Sequence, residues 1–134
     1  MNYWLVKQEP SSYSFDDFQK DKKTDWTGVR NYMARNFLRD MKKGDSVLFY
    51  HSGDEKGVVG FSTVSKAAFP DPTAEDDAWV AVELKAGKKF KSPVPLASIK
   101  AEPKLANMLL VKNSRISVMS VTEDEYDQVV SMGN

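Results

Sequence analysis

Hydrophobic and polar positions along this chain follow two periods in turn. Tyr3-Trp4-Leu5-Val6 is a short aromatic and apolar run halted by Pro10, which predicts a buried strand. Ser46 to His51 and Val58 to Lys66 change the period to two and predict two more strands. SGDEKG between them predicts a hairpin. Trp79 to Lys85 alternates again, with Val80, Val82 and Leu84 on one face, and Arg115 to Met119 reads as a further strand. FPDPT is expected to be irregular because prolines flank Asp71. KAGKKF is expected to turn the chain, and SPVPLASIK reads as a proline-broken edge or crossover.

Helical starts are marked by caps. In YSFDDF, Ser14 is the N-cap, Asp17 reaches back from N3, and Tyr13 with Phe18 forms a hydrophobic staple. That helix fades in QKDKK. VTEDEY repeats the device, with Thr122 as cap, Glu125 at N3 and a Val121–Tyr126 staple. This last helix is expected to end near Gly133 as its C′ residue. Between these, TDWTGV reads as a loop jointed at Gly28. Asn31 to Met41 reads as a helix with Tyr32, Leu38 and Met41 at roughly helical spacing, and Lys43-Gly44-Asp45 as a turn. Lys104 to Val111 predicts a short helix. Five or six strands that do not alternate with helices predict one α+β domain over residues 1–134, a small curved sheet or open barrel.

Composition narrows the chemistry. The 134 residues, 41% hydrophobic and 11% aromatic, suffice for one cored domain. Nineteen basic and nineteen acidic residues give zero formal charge, so nucleic-acid binding would need a local patch or a specific pocket. The lack of cysteine excludes disulfides, thiolate metal sites and thiol nucleophiles, and a single histidine excludes a multi-histidine metal site. No apolar run approaches the roughly 20 residues of a membrane helix, and MNYWLVKQEP lacks the pattern of a signal peptide. A cytoplasmic monomer without metal, cofactor or membrane partner is the expectation.

P-loop, GxGxxG, GxSxG and HExxH patterns are absent. A triad would need His51 and a serine on a tight elbow, and none is evident, so no catalytic residue is assigned. DPTAEDD reads as a solvated acidic loop, and TEDE as the acidic first turn of a helix. Lys85, Lys88, Lys89 and Lys91 surround Phe90, either as a solvated hairpin tip or as phosphate contacts beside a cleft, with Lys42 and Lys43 adding to the same face. Trp26 is either a core residue or a stacking wall for a planar ring. Asn31 either caps its helix or reads a base edge, and Arg30 and Arg35 suit phosphate, carboxylate or ring stacking. His51, at a strand end, is either structural or part of a site.

YWLVKQEPSSYSFDD, WTGVRNYMARNFLRDMKKGDSVLFYHS, VVGFSTV, AAFPDPT, PVPLASIK and RISVMSV occur in the order found in EVE domains, and the chain resembles that family over essentially its whole length. It departs from the family pattern at Gln8, where VKSEP usually has Ser. The resemblance implies a PUA-like fold related to YTH readers of methylated RNA. It also implies a non-catalytic reader of a modified nucleobase, in DNA or in RNA such as tRNA. Carried over by motif, Trp26 lines the pocket, Arg30, Asn31 and Tyr32 supply its polar edge, and Lys7 and Gln8 lie beside it. His51 and Ser52 come from a strand end, Phe69, Pro70 and Asp71 from an opposing loop, and Ser117 from the border. Arg35, Lys88, Lys89, Lys91 and Arg115 are the expected phosphate contacts. Two other classes remain open: an enzyme on a modified nucleoside or small molecule with His51 or Asp71 as acid/base, and a protein-interaction adaptor using the sheet face.

Overall fold

A computed structural model describes all 134 residues. In chain order the elements are β1 (Tyr3–Gln8), α1 (Phe15–Asp21), β2 (Lys23–Trp26), α2 (Tyr32–Asp40), β3 (Ser46–His51), β4 (Gly57–Pro70) and β5 (Val80–Pro95). There follow α3 (Leu96–Ala101), a single 3-10 turn (Pro103–Leu105), α4 (Leu109–Lys112), β6 (Val118–Val121) and α5 (Glu123–Gly133). The strands form one mixed sheet in the order β2-β5-β4-β3-β1-β6, in which only β1 and β3 run parallel. This is the expected α+β, PUA-like architecture. No helix is long and apolar enough to cross a membrane.

Both expected capping boxes are present, Ser14 with Asp17 and Thr122 with Glu125. The strands differ from expectation where pairing is long-range. TDWTGV is not all loop: Lys23–Trp26 is β2, paired with Val82–Lys85. It is an edge strand, so its outward residues are polar and its composition mimics a loop. KAGKKF does not turn; it lies inside the 16-residue β5. Phe69 and Pro70 are not irregular; they end β4, opposite Ala81 and Val80. The prolines fit because each falls where its strand has lost one neighbour. β3 pairs with β4 no further than Thr63, and β2 pairs with β5 no further than Lys85, so a missing N–H breaks no ladder bond. Repeated register shifts along β4–β5 bend the sheet round its core.

Further along, Lys104 to Val111 splits into the 3-10 turn and α4, and β6 starts at Val118 rather than Arg115. Gly133 closes α5 inside the helix instead of following it. It lies under Phe90 and Val94, where a Cβ would collide with the Phe90 ring. On α2 the inward residues are Ala34 and Leu38; Tyr32, placed inward by spacing, is 63% exposed.

Phe49 is the hub of one face. Its ring lies 5.3 Å from Phe15, 5.4 Å from Phe18 and 5.7 Å from Trp26. Gly60 makes room for this cluster, since any Cβ there would overlap the Phe15 ring. At the sheet's other end, buried Asp45 accepts hydrogen bonds from Trp4 Nε1 (3.0 Å) and from the Lys42 (3.0 Å) and Asn2 (3.2 Å) amides. Burial pushes its carboxyl upward, but these donors outweigh that and hold it below the ordinary carboxylate value. Asp45→Ala is expected to cost about 1–3 kcal/mol, because the Trp4 indole N–H loses its partner in the core. Urea unfolding would show this as a lower midpoint with unchanged slope; an unmoved midpoint would contradict it.

Candidate functional site

Successive strand residues point to opposite faces, so β1 and β3 serve two sides at once. Lys7 pairs with Tyr50 and Gln8 with His51 in the parallel register. Gln8 enters a cleft of about 190 Å³ with Tyr13, Thr24, Asp25, Trp26 and Thr27. Lys7 turns the other way, into a second cleft with Tyr50 and Ser52. Trp26 is a core residue, 5% exposed and edge-on to Phe49, and it lines the first cleft from that buried position. The core reading of Trp26 therefore holds: it anchors β2 against Phe49 while bordering the cleft.

The segment after Trp26 is held by Asp71. This carboxylate, 4% exposed, accepts from the Gly28 amide (2.8 Å), Arg30 Nη1 (3.0 Å), the Thr73 amide (2.8 Å) and the Thr73 hydroxyl (2.7 Å). Gly28 takes φ +80°, a conformation costly for any other residue type. Burial alone would raise the Asp71 carboxyl. The Thr73 hydroxyl, the two amides and Arg30 overcome this and hold it at about 2. Asn31 then caps α2, its Oδ1 accepting from the Ala34 amide at 3.0 Å, so capping takes the oxygen and leaves the side-chain N–H groups without a partner in the protein.

Beside this loop lies an aromatic–guanidinium stack. The exposed Tyr32 ring packs 4.9 Å from Trp79. Arg35 lies 4.9 Å over Tyr32 and 5.9 Å from Trp79, with Nη1 donating to the Ala78 carbonyl at 3.0 Å. Arg30 lies 5.7 Å over Trp79. Such a surface can take planar rings by stacking and phosphates by charge.

The sequence model of the EVE domain matches residues 2–132. The chain belongs to the EVE domain family. It is 34% identical to human thymocyte nuclear protein 1 over 98% of this chain and 73% of that protein. An Agrobacterium tumefaciens protein of known structure superposes with a TM-score of 0.96 at 44% identity, covering all of this chain and 94% of the other. The human THYN1 protein, solved in complex with 5-methylcytosine-containing DNA, superposes at 0.93 with 32% identity, covering 100% and 98%. An ASCH protein of Zymomonas mobilis, 11% identical at a TM-score of 0.64, shares the fold alone.

In this EVE domain the motif residues do not all converge. Gln8 and Trp26 share the first cleft, and Arg30, Asn31, Tyr32, Arg35 and Asp71 cluster at the β2–α2 joint next to it. Lys7 and Ser52 belong to the other cleft. His51 is engaged: its Nε2 accepts the Phe15 amide at 3.0 Å, and burial lowers its basicity. Phe69 and Pro70 lie in strand β4, with Lys66 over the Phe69 ring, not in a loop facing Trp26. Ser117 gives its carbonyl to the Lys7 amide. Lys88, Lys89 and Lys91 are exposed on β5 and line neither cleft, and Lys89 pairs with Asp16 at 2.9 Å. Arg115 is exposed and likewise outside both.

Trp79 was missing from the expected site. It counts as one apolar position in an alternating strand, and nothing local marks it as the partner of Tyr32, 47 positions earlier by the numbering. Tyr13 and Thr24 were missed for the same reason, since only the folded sheet and the segment before α1 bring them to Gln8.

The low value at Asp71 has a pH consequence. A carboxyl depressed on folding stabilises fully above its unfolded value, and that stability is lost as pH falls through the folded value. Between pH 4 and pH 2 about 2 kcal/mol should disappear through Asp71. Asp71→Asn should be weaker than wild type at neutral pH and should lack this component of the acid loss. Thermal melts across that range check it; parallel pH profiles for the two proteins would contradict the assignment.

Proposed function

We propose that this EVE domain binds nucleic acid through a modified base and does so without chemistry on it. The observation that carries the reading is the full-length structural match to human THYN1 in complex with 5-methylcytosine-containing DNA, at 32% identity. The local geometry supports it. Gln8, the side-chain amide of Asn31 and the Arg30 guanidinium offer donors and acceptors around Trp26, and the Tyr32–Trp79 stack offers ring faces beside them. Stacking holds any base, and the directional groups select among bases.

A binding role fits the state of the titratable groups. Asp71 is saturated by four donors and held at about 2, and His51 uses Nε2 as an acceptor for the backbone. Asp71 is therefore not poised to exchange a proton near neutral pH, and the Nε2 atom of His51 is already committed to the Phe15 amide, whereas an acid–base mechanism needs a free group of suitable basicity. The cleft is smaller than the roughly 300 Å³ from which small-molecule sites start, so admitting a base requires the Gln8 side chain or the Gly28 joint to yield. A single strand suits such a site, because flipping a base out of a duplex costs a few kcal/mol.

The test is anisotropy titration of single-stranded and duplex oligonucleotides, DNA and RNA, with and without one modified cytosine. Wild type should prefer the modified strand. Trp79→Ala should weaken binding roughly 5- to 150-fold, the worth of one stacked base. Gln8→Ala should reduce the preference for the modified base more than the affinity itself. Equal binding of modified and unmodified strands by the folded wild type would overturn the proposal.

A further inference from the structure

The second cleft has the opposite character to the first. Lys7, Tyr50, Ser52, Lys56, Lys100 and Ser114 surround about 150 Å³ between the ends of β1 and β3, the hairpin after β3, and helix α3. Three lysines and no carboxylate line it, in a chain whose net charge is zero. None of the three has a carboxylate within 4.0 Å. Asp54 shares the neighbouring groove with Lys56 and Lys100 but pairs with neither. Three cations gathered without a counter-charge repel one another, and an anion placed among them relieves that cost.

The individual groups suit an oxyanion. Lys7 Nζ spends one proton on the Ser114 carbonyl at 3.1 Å and keeps two for another acceptor. Its ammonium is half-buried, and burial first, then Lys56, pushes its pKa down. The Tyr50 ring is buried 5.6 Å from Lys7 Nζ, yet its hydroxyl is not sealed away from solvent and has no partner within the protein. Burial keeps that hydroxyl protonated, so it stays a donor. The volume holds about five waters, enough for a phosphoryl group.

Position gives the second half. Lys7 and Gln8 are neighbours, and each lines a different cleft, so both clefts reach the same end of β1. We propose that the Lys7–Lys56–Lys100 cleft binds a backbone phosphate of the strand whose modified base occupies the Gln8–Trp26 cleft. This rests on the base-binding reading above. It assigns backbone affinity to these lysines rather than to the β5 lysines.

The test compares wild type with the Lys56→Gln/Lys100→Gln double variant, both sites exposed, on a single strand carrying one 5-methylcytosine, across a salt series. Loss of this one phosphate contact should lower the slope of log K against log salt by about 0.7, with at least tenfold weaker binding at low salt. The ratio of modified to unmodified affinity should stay at the wild-type value. An unchanged slope and affinity, with the base preference intact, would overturn the phosphate site and leave the base reading standing. Absence of preference in wild type would instead defeat the base reading. A Lys88→Gln/Lys91→Gln control that lowers the slope equally would show bulk charge at work and overturn the assignment. Inorganic phosphate supplies the last arm: millimolar phosphate that raises the melting temperature of wild type but not of the double variant, without displacing the strand, would assign the cleft to a free anion and overturn the strand proposal.

Discussion

The alternation of side chains along the paired strands β1 and β3 is the constraint from which the rest follows. Both strands carry a contiguous buried stretch, Trp4 to Val6 and Val47 to Tyr50, so a slip of one residue would exchange their entire inner faces. Register is fixed by Tyr3 stacking on Tyr126 of α5 on one side, and by Trp4 meeting Phe37 of α2 and the Asp45 carboxylate on the other. Once that register is set, residues at the strand ends have no choice of direction. Lys7 and Tyr50 go to the side of α3 and α4, while Gln8 and His51 go to the side of α1. A contiguous sequence motif is thereby split between two clefts of different chemistry.

The polar segment after Trp26 is ordered by a different device. Asp71 lies at the end of a strand and collects donors from the β2–α2 joint and from its own turn. Removing such a carboxylate would leave a backbone amide and a guanidinium without their acceptor, which is why the joint and the turn behave as one unit. Arg30 is thereby fixed over Trp79, and Asn31 is fixed as a cap with its amide N–H groups outward. The side chains expected to face a ligand are thereby held in place beforehand, which limits the ordering cost of binding.

Local physics was legible in the sequence and non-local physics was not. Ser14 with Asp17 and Thr122 with Glu125 were readable because a capping box closes within four residues. β3 was readable to the residue because its apolar run and its hairpin are contiguous. β2 was hidden because an edge strand has the composition of a loop. The full length of β4 and β5 was hidden because their prolines and glycines look like stops until the missing neighbour strand is known. For the site, the motif resemblance gathered Trp26, Arg30, Asn31, Tyr32 and Asp71 in one region. It could not separate Lys7 from Gln8, nor bring Trp79, Lys56 or Lys100 to the surfaces where the sheet's curvature delivers them.

The most direct measurement is a backbone-amide NMR titration of the isotope-labelled protein with a short single strand carrying one 5-methylcytosine, beside its unmethylated twin. The account predicts perturbations at Gln8 and from Trp26 to Tyr32 that depend on the methyl group. It predicts perturbations at Lys7, Ser52 and Lys56 that appear with either strand. Shifts confined to the exposed lysines of β5, or a map identical for both strands, would contradict the claim that the pleat divides base and phosphate between two clefts.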